Sequence, residues 1–223
     1  LLQRLQTLPA TISSVLLPMM SEIHGPDAHE RLLRMYLKSS RFLLWIVLPF
    51  LVMIFSLMPQ FLTLWLGPEF VGRSVWPARF LVLTQAFAAV NFIPNNISTS
   101  RDHPEYYSAG SWAQAMLNIV AWLWLIPRYH ILGAAMGACL SQALVTVANV
   151  WLVHRRFLGL SWKDYFAEVL HRPVLSASVL LAVVFPLHAL AQTWPRLLLL
   201  SAGGGLLYAA AIWVGMYDED REF

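Results

Sequence analysis

PRYHILGAAMGACLSQALVTVANVW, residues 127–151, is the stretch on which the reading of this chain turns. After Arg128 it contains no Lys, Arg, Asp or Glu. An α-helix needs about 20 such residues to cross the hydrocarbon core of a bilayer, so the stretch reads as a membrane helix. Its first half carries Gly133, Ala134, Gly137, Ala138 and Ser141. Gly133 and Gly137 have the small-xxx-small spacing that lets two helix backbones approach closely. Its second half carries Gln142, Thr146 and Asn149, whose spacings of four and three put them on one helical face. A soluble core helix could be equally apolar, but similar uncharged runs recur along most of the chain.

Composition agrees with that recurrence. Of 223 residues, 58% are hydrophobic and 12% are charged, whereas soluble domains carry roughly 25% charged residues. The fold class is an all-α polytopic membrane protein. The net charge of +3 comes from basic residues set between apolar runs. Such residues signal topology and do not form a nucleic-acid patch. The single Cys139 lies within an apolar run and reads as a small packing residue, with neither a disulfide framework nor metal-ligand spacing around it. No cofactor or metal is expected.

Outward from the opening stretch, seven spans are expected. Five lie within residues 1–153, at 5–20, 42–66, 80–100, 106–126 and 131–153. Two more fall within residues 173–216. The fourth and fifth, joined by the tight connector PRYHILG, should be antiparallel neighbours. Ser21 to Arg41 reads as an amphipathic connector at the membrane surface, and 154–172 as a second one with Arg155, Arg156, Lys163 and Arg172 toward lipid headgroups. Residues 217–223 form an acidic tail. The opening LLQRLQ lacks the charged region and cleavage site of a signal peptide and lies inside an apolar segment, so further helices are expected before it. Connectors one, three and five plus the tail hold about ten basic residues against about four on the opposite side, which puts the carboxyl terminus in the cytoplasm.

No expected span has a Lys, Arg, Asp or Glu in its centre, where an unpaired one would cost about 2.5 to 3.5 kcal/mol on insertion. No proton relay or ion site is therefore visible. His188, the one ionisable group deep in a span, reads as a neutral packing histidine, since no acidic partner lies near it in sequence. His24, His29, His154 and His171 read as solvated. Neutral polar stripes stand out instead: Thr84, Asn91, Asn95 and Ser98, then Ser111, Gln114 and Asn118, then Gln142, Thr146 and Asn149. They could be interhelical glue, worth about 0.6 kcal/mol per bond. Alternatively, Asn91, Asn95, Gln114, Asn118, Gln142 and Asn149 could line a hydrated cavity whose amides suit sugar hydroxyls. The residues leave both readings open. Gly203, Gly204 and Gly205 mark either close packing or a weak point in the last helix.

LLPMMSE (Leu16 to Glu22), LWLGPEF (Leu64 to Phe70) and ILGAAMGACLSQ (Ile131 to Gln142) occur in an order and spacing that resembles the carboxyl-terminal half of polysaccharide-biosynthesis flippases. These O-antigen and exopolysaccharide transporters belong to the multidrug/oligosaccharidyl-lipid/polysaccharide superfamily. The resemblance implies about fourteen spans in the whole protein, two pseudosymmetric bundles and two extra helices at the end. It further implies that a lipid-linked oligosaccharide passes between the bundles by alternating access in the cytoplasmic membrane, with membrane lipids and the glycan assembly machinery as partners. This chain departs from the family in having His130 where a glycine is common, and RDHPEYY where a small turn is common.

Other readings make different demands. A cation-coupled multidrug exporter of the same superfamily would need an acidic group within the bundle. A membrane enzyme of glycan assembly would need a large outward loop bearing Arg, His or Asp, whereas Gly67 to Arg79, Pro127 to His130 and Trp194 to Arg196 are short. The expectation is therefore a protein that is not an enzyme. A non-transporting membrane subunit would need tight helix packing and no cavity.

Overall fold

The computed structural model describes Met20, Glu22, Ile23 and residues 25–101 and 103–215. Its first long helix, α1, runs Ala28–Leu66. No Gly or Pro interrupts residues 28–48, so the expected surface connector and the expected second span are one helix. Its 39 residues extend about 58 Å at 1.5 Å per residue. That exceeds a hydrocarbon thickness of about 30 Å, leaving the charged turns around Arg31 and Arg34 beyond it.

Gly67 ends α1 at φ 98° and ψ 160°, donating its N–H to the Thr63 carbonyl. A side chain would strain this backbone. Pro68 then starts α2, Pro68–Ser100. Proline suits the first helical position, where its missing N–H would have no partner anyway, and Glu69 complements the helix dipole. Residues 68–79, expected as an outward loop, are consequently helical. After one turn, α3 runs Pro104–Val153 and changes direction at His130.

That change makes α3 a hairpin. Gln114 bonds Gln142, and Trp122 Nε1 donates to the Ala134 carbonyl at 3.0 Å. Residues 131–153 thus pack back against 104–129. A Cβ on Gly133 would lie 2.3 Å from the Leu125 carbonyl oxygen, and one on Gly137 would lie 2.7 Å from Trp122 Cδ1. Both glycines allow the close approach. His130 itself has φ 51° and ψ −126°, a conformation that favours glycine.

A π-helical turn, His154–Leu158, leads through Gly159 to the short α4, Trp162–Tyr165, capped by Ser161. A second π turn, Phe166–Leu170, continues into α5, His171–Leu187. After the 3-10 turn His188–Leu190, α6 runs Trp194–Gly215.

Four of these elements are long and apolar enough to cross a membrane: Ala28–Leu66, Pro68–Ser100, Pro104–Leu158 and Trp162–Leu190. The sequence reading of seven is corrected accordingly. Of the first expected span, all but Met20 lies outside the described residues, as does the acidic tail. The fourth and fifth expected spans share one element that reverses at His130. The second half of the expected connector 154–172 is continuous with α5. His188 does not lie deep in a span. It sits in the 3-10 turn after α5, half-buried, with Nδ1 against the Phe185 carbonyl.

The main core joins α1, α2, residues 150–153 and the connector, around Tyr36, Leu43, Leu44, Ile93, Ile97, Leu158 and Tyr165. A smaller core joins α1, α5 and α6 through Trp45, Leu57, Leu180, Val184 and Tyr208. Of the three consecutive glycines, only Gly204 is tightly packed, against Met53 and Val184. Large apolar side chains such as Leu123 and Leu206, each 74% exposed, cover the outside, as lipid-facing surfaces do.

Two substitutions at the hairpin should have opposite effects. His130→Gly should raise the melting temperature of the detergent-purified protein, relieving strain of about 1 kcal/mol. Gly133→Ala should lower it, by about 1–3 kcal/mol of overpacking. Tryptophan-fluorescence melts of both variants against the parent check the pair.

Candidate functional site: an amide-lined cavity

The α1–α2 pair and the α3 hairpin line an open cavity of about 370 Å³. Small-molecule sites occupy about 300–1,000 Å³. Asn91 and Asn95 come from α2, Gln114 from residues 104–129 of α3, and Gln142 and Asn149 from residues 131–153. Val47, Leu51, Phe92 and Val145 supply apolar wall, and Tyr107 an aromatic ring. None of the lining residues is charged.

The amides bond across helices and line the space together. Asn149 Nδ2 donates to Asn91 Oδ1 and to Asn95 Oδ1, each at 2.7 Å. Gln114 Nε2 donates to Gln142 Oε1 at 2.5 Å. Gln142 Nε2 in turn donates to Thr146 Oγ1 at 3.2 Å, and that hydroxyl donates to the Phe87 carbonyl at 3.1 Å. A primary amide has two donors and a carbonyl acceptor. Among the described residues the Asn91 and Asn95 amide nitrogens and the Gln114 carbonyl carry no hydrogen bond, so donors and an acceptor remain for a ligand.

Of the six candidate residues, five line the cavity. Asn118, one turn beyond Gln114, does not. Its Oδ1 is sealed with no partner among the described residues. The stripe hydroxyls Thr84, Ser98 and Ser111 bond the carbonyls of Phe80, Asn95 and Tyr107 in their own helices. They are spent locally. Gly133 and Gly137 set the hairpin spacing and so the distance between Gln114 and Gln142.

Two groups escaped the sequence reading. Arg79, expected at the end of the outward loop Gly67 to Arg79, lies inside α2 and is 8% exposed. The signal was Pro68, which begins the helix early enough to enclose it. His154, read as solvated, is 2% exposed. His154 Nε2 lies 2.8 Å from the Tyr36 hydroxyl, and its ring meets Tyr165 edge-on at a centroid distance of 4.6 Å. Arg41 Nη1 donates to the Glu168 carbonyl at 3.1 Å, fastening the connector to α1. No sequence spacing joins residues so far apart in the chain.

Arg155, Arg156, Lys163, Asp164 and Glu168 around this cluster are exposed. His154 Nδ1 is sealed without a partner among the described residues.

Comparison with family models, with curated proteins and with solved structures returned no match. The description that stands is of an all-α chain with the make-up of a multi-pass membrane protein and a neutral polar cavity among its helices.

Proposed function

We propose that the chain is the carboxyl-terminal half of a membrane transporter that moves a lipid-linked oligosaccharide or polysaccharide precursor across the cytoplasmic membrane by alternating access. The observation that carries this reading is the uncharged, amide-lined cavity between apolar helices. Free amide donors and a carbonyl match neutral hydroxyls, and an aromatic ring at the wall suits the apolar face of a sugar. The family resemblance of the three local sequences supports the same substrate class. In this reading the protein is not an enzyme, the lipid tail stays in the bilayer, and the carboxyl terminus faces the cytoplasm. The glycan assembly machinery supplies and receives the substrate.

The cross-helix amide bonds favour a second reading, a non-transporting membrane subunit in which the amides only hold helices together. A cation-coupled multidrug exporter draws less support, because the cavity lining contains no carboxylate.

Cysteine accessibility separates these readings. Single cysteines are placed at Asn95, Gln114, Asn118, Gln142 and Asn149 of the intact parent protein after Cys139→Ala, and labelled with a membrane-impermeant thiol reagent. Transport predicts labelling at Asn95 and Gln114 that lipid-linked oligosaccharide slows, with Asn118, outside the cavity, protected. Uniform protection in a folded protein that still flips its substrate would remove the cavity from the mechanism.

A further inference from the structure

Pro59 has no N–H, so within α1 the Phe55 carbonyl four residues earlier loses its helical partner. Arg79 Nε of α2 donates to that carbonyl at 3.2 Å. The rings of Phe55, Trp76 and Phe185 surround the guanidinium carbon at 5.0, 5.3 and 5.4 Å. Arg79 thereby joins α1, α2 and α5 while engaging one of its five N–H donors.

The two terminal nitrogens have neither a hydrogen bond nor an ion pair among the described residues, and neither is sealed from the surface. A guanidinium keeps its proton under any ordinary condition. A charge this deeply set is stable when an anion pairs with it, and among the described residues no carboxylate does so.

The way in lies between exposed rings. Trp76 is 57% exposed and Phe185 41%. Exposed Trp65 and Trp194 lie at the same end of the fold, where Trp194 meets Phe61. Aromatic side chains gather where helices leave the hydrocarbon, and Arg79 is one helical turn from Trp76. A long basic side chain can extend past such rings toward a headgroup, and the planar guanidinium fork matches the paired oxygens of a phosphate.

We propose that Arg79, boxed by Phe55, Trp76 and Phe185, is a binding site for a lipid-borne phosphate. A phospholipid headgroup and an isoprenoid-linked phosphate present the same oxygens to it. None of its residues lines the amide cavity, so the site stands or falls apart from the transport reading.

Native mass spectrometry of the full chain in detergent tests this. The protein is titrated with phosphatidylglycerol and, separately, with a polyprenyl phosphate. Diacylglycerol and polyprenol serve as phosphate-free controls. At least one phosphate lipid should bind about tenfold more tightly than its control, a difference of about 1.4 kcal/mol. Arg79→Gln, which keeps a donor for the Phe55 carbonyl, should lose that preference. Arg79→Lys, lacking the fork, should retain only part of it and carries the comparison if the glutamine variant does not fold. Preference for phosphatidylglycerol alone assigns a phospholipid-headgroup site, and preference for the polyprenyl phosphate alone assigns an isoprenoid-phosphate site. Equal binding of phosphate lipids and controls by the parent overturns the proposal without any variant. So does an unchanged preference in a folded Arg79 variant.

Discussion

The close approach of residues 131–153 to 104–129 is the constraint on which the rest of the structure depends. Two helices whose facing positions carry ordinary side chains pack about 8–10 Å apart. Gly133 and Gly137 remove that spacer, leaving the Leu125 carbonyl and the Trp122 ring directly against the opposite backbone. Contact at this range brings Gln114 to Gln142, and the same arm carries Asn149 to Asn91 and Asn95 of α2. Without the small residues, Gln114 and Gln142 on the two arms would be held farther apart.

A second constraint is the supply of partners for backbone carbonyls in apolar surroundings. Proline interrupts the helical ladder at Pro49, Pro59, Pro77, Pro94, Pro127 and Pro186, and each freed carbonyl is costly where water is absent. The Phe55 carbonyl is met by Arg79 from another helix. Hydroxyls also bond carbonyls within their own helices, as Thr63 does at Pro59 and Ser98 at Asn95. Side chains that resemble a binding stripe in sequence therefore divide into two groups. Thr63, Thr84, Ser98 and Ser111 bond back within their own helix, whereas the amides and Thr146 reach across to another.

At the far end of α1 the logic is that of a soluble core. Tyr36, His154 and Tyr165 bury their rings together, and the Tyr36 hydroxyl pairs with His154 Nε2. The π turns after Val153 and Tyr165 place these rings inward, while the intervening basic residues point outward. Arg155, Arg156 and Lys163 of the connector are exposed, and its underside is packed rather than solvated.

By itself, the sequence determined the class of structure. Long uncharged runs leave helices as the only way to satisfy the backbone, and the Gly133/Gly137 spacing marks a close contact before any partner is known. Five of the amides that line the cavity, Asn91, Asn95, Gln114, Gln142 and Asn149, were legible for the same reason, since a helical period of 3.6 puts them on shared faces, while a sixth, Gln85, was missed. Helix ends were less legible. Residues 28–41 carry charge but no breaker, and Pro68 starts a helix where a loop is the simpler reading, so α1 and α2 run longer than hydropathy suggests. Only the tertiary structure decided that Asn118 misses the cavity, that His154 is buried against Tyr36, and that Arg79 meets Phe55. Each depends on the rotation and approach of helices distant in sequence, and a hydropathy pattern carries no information about either.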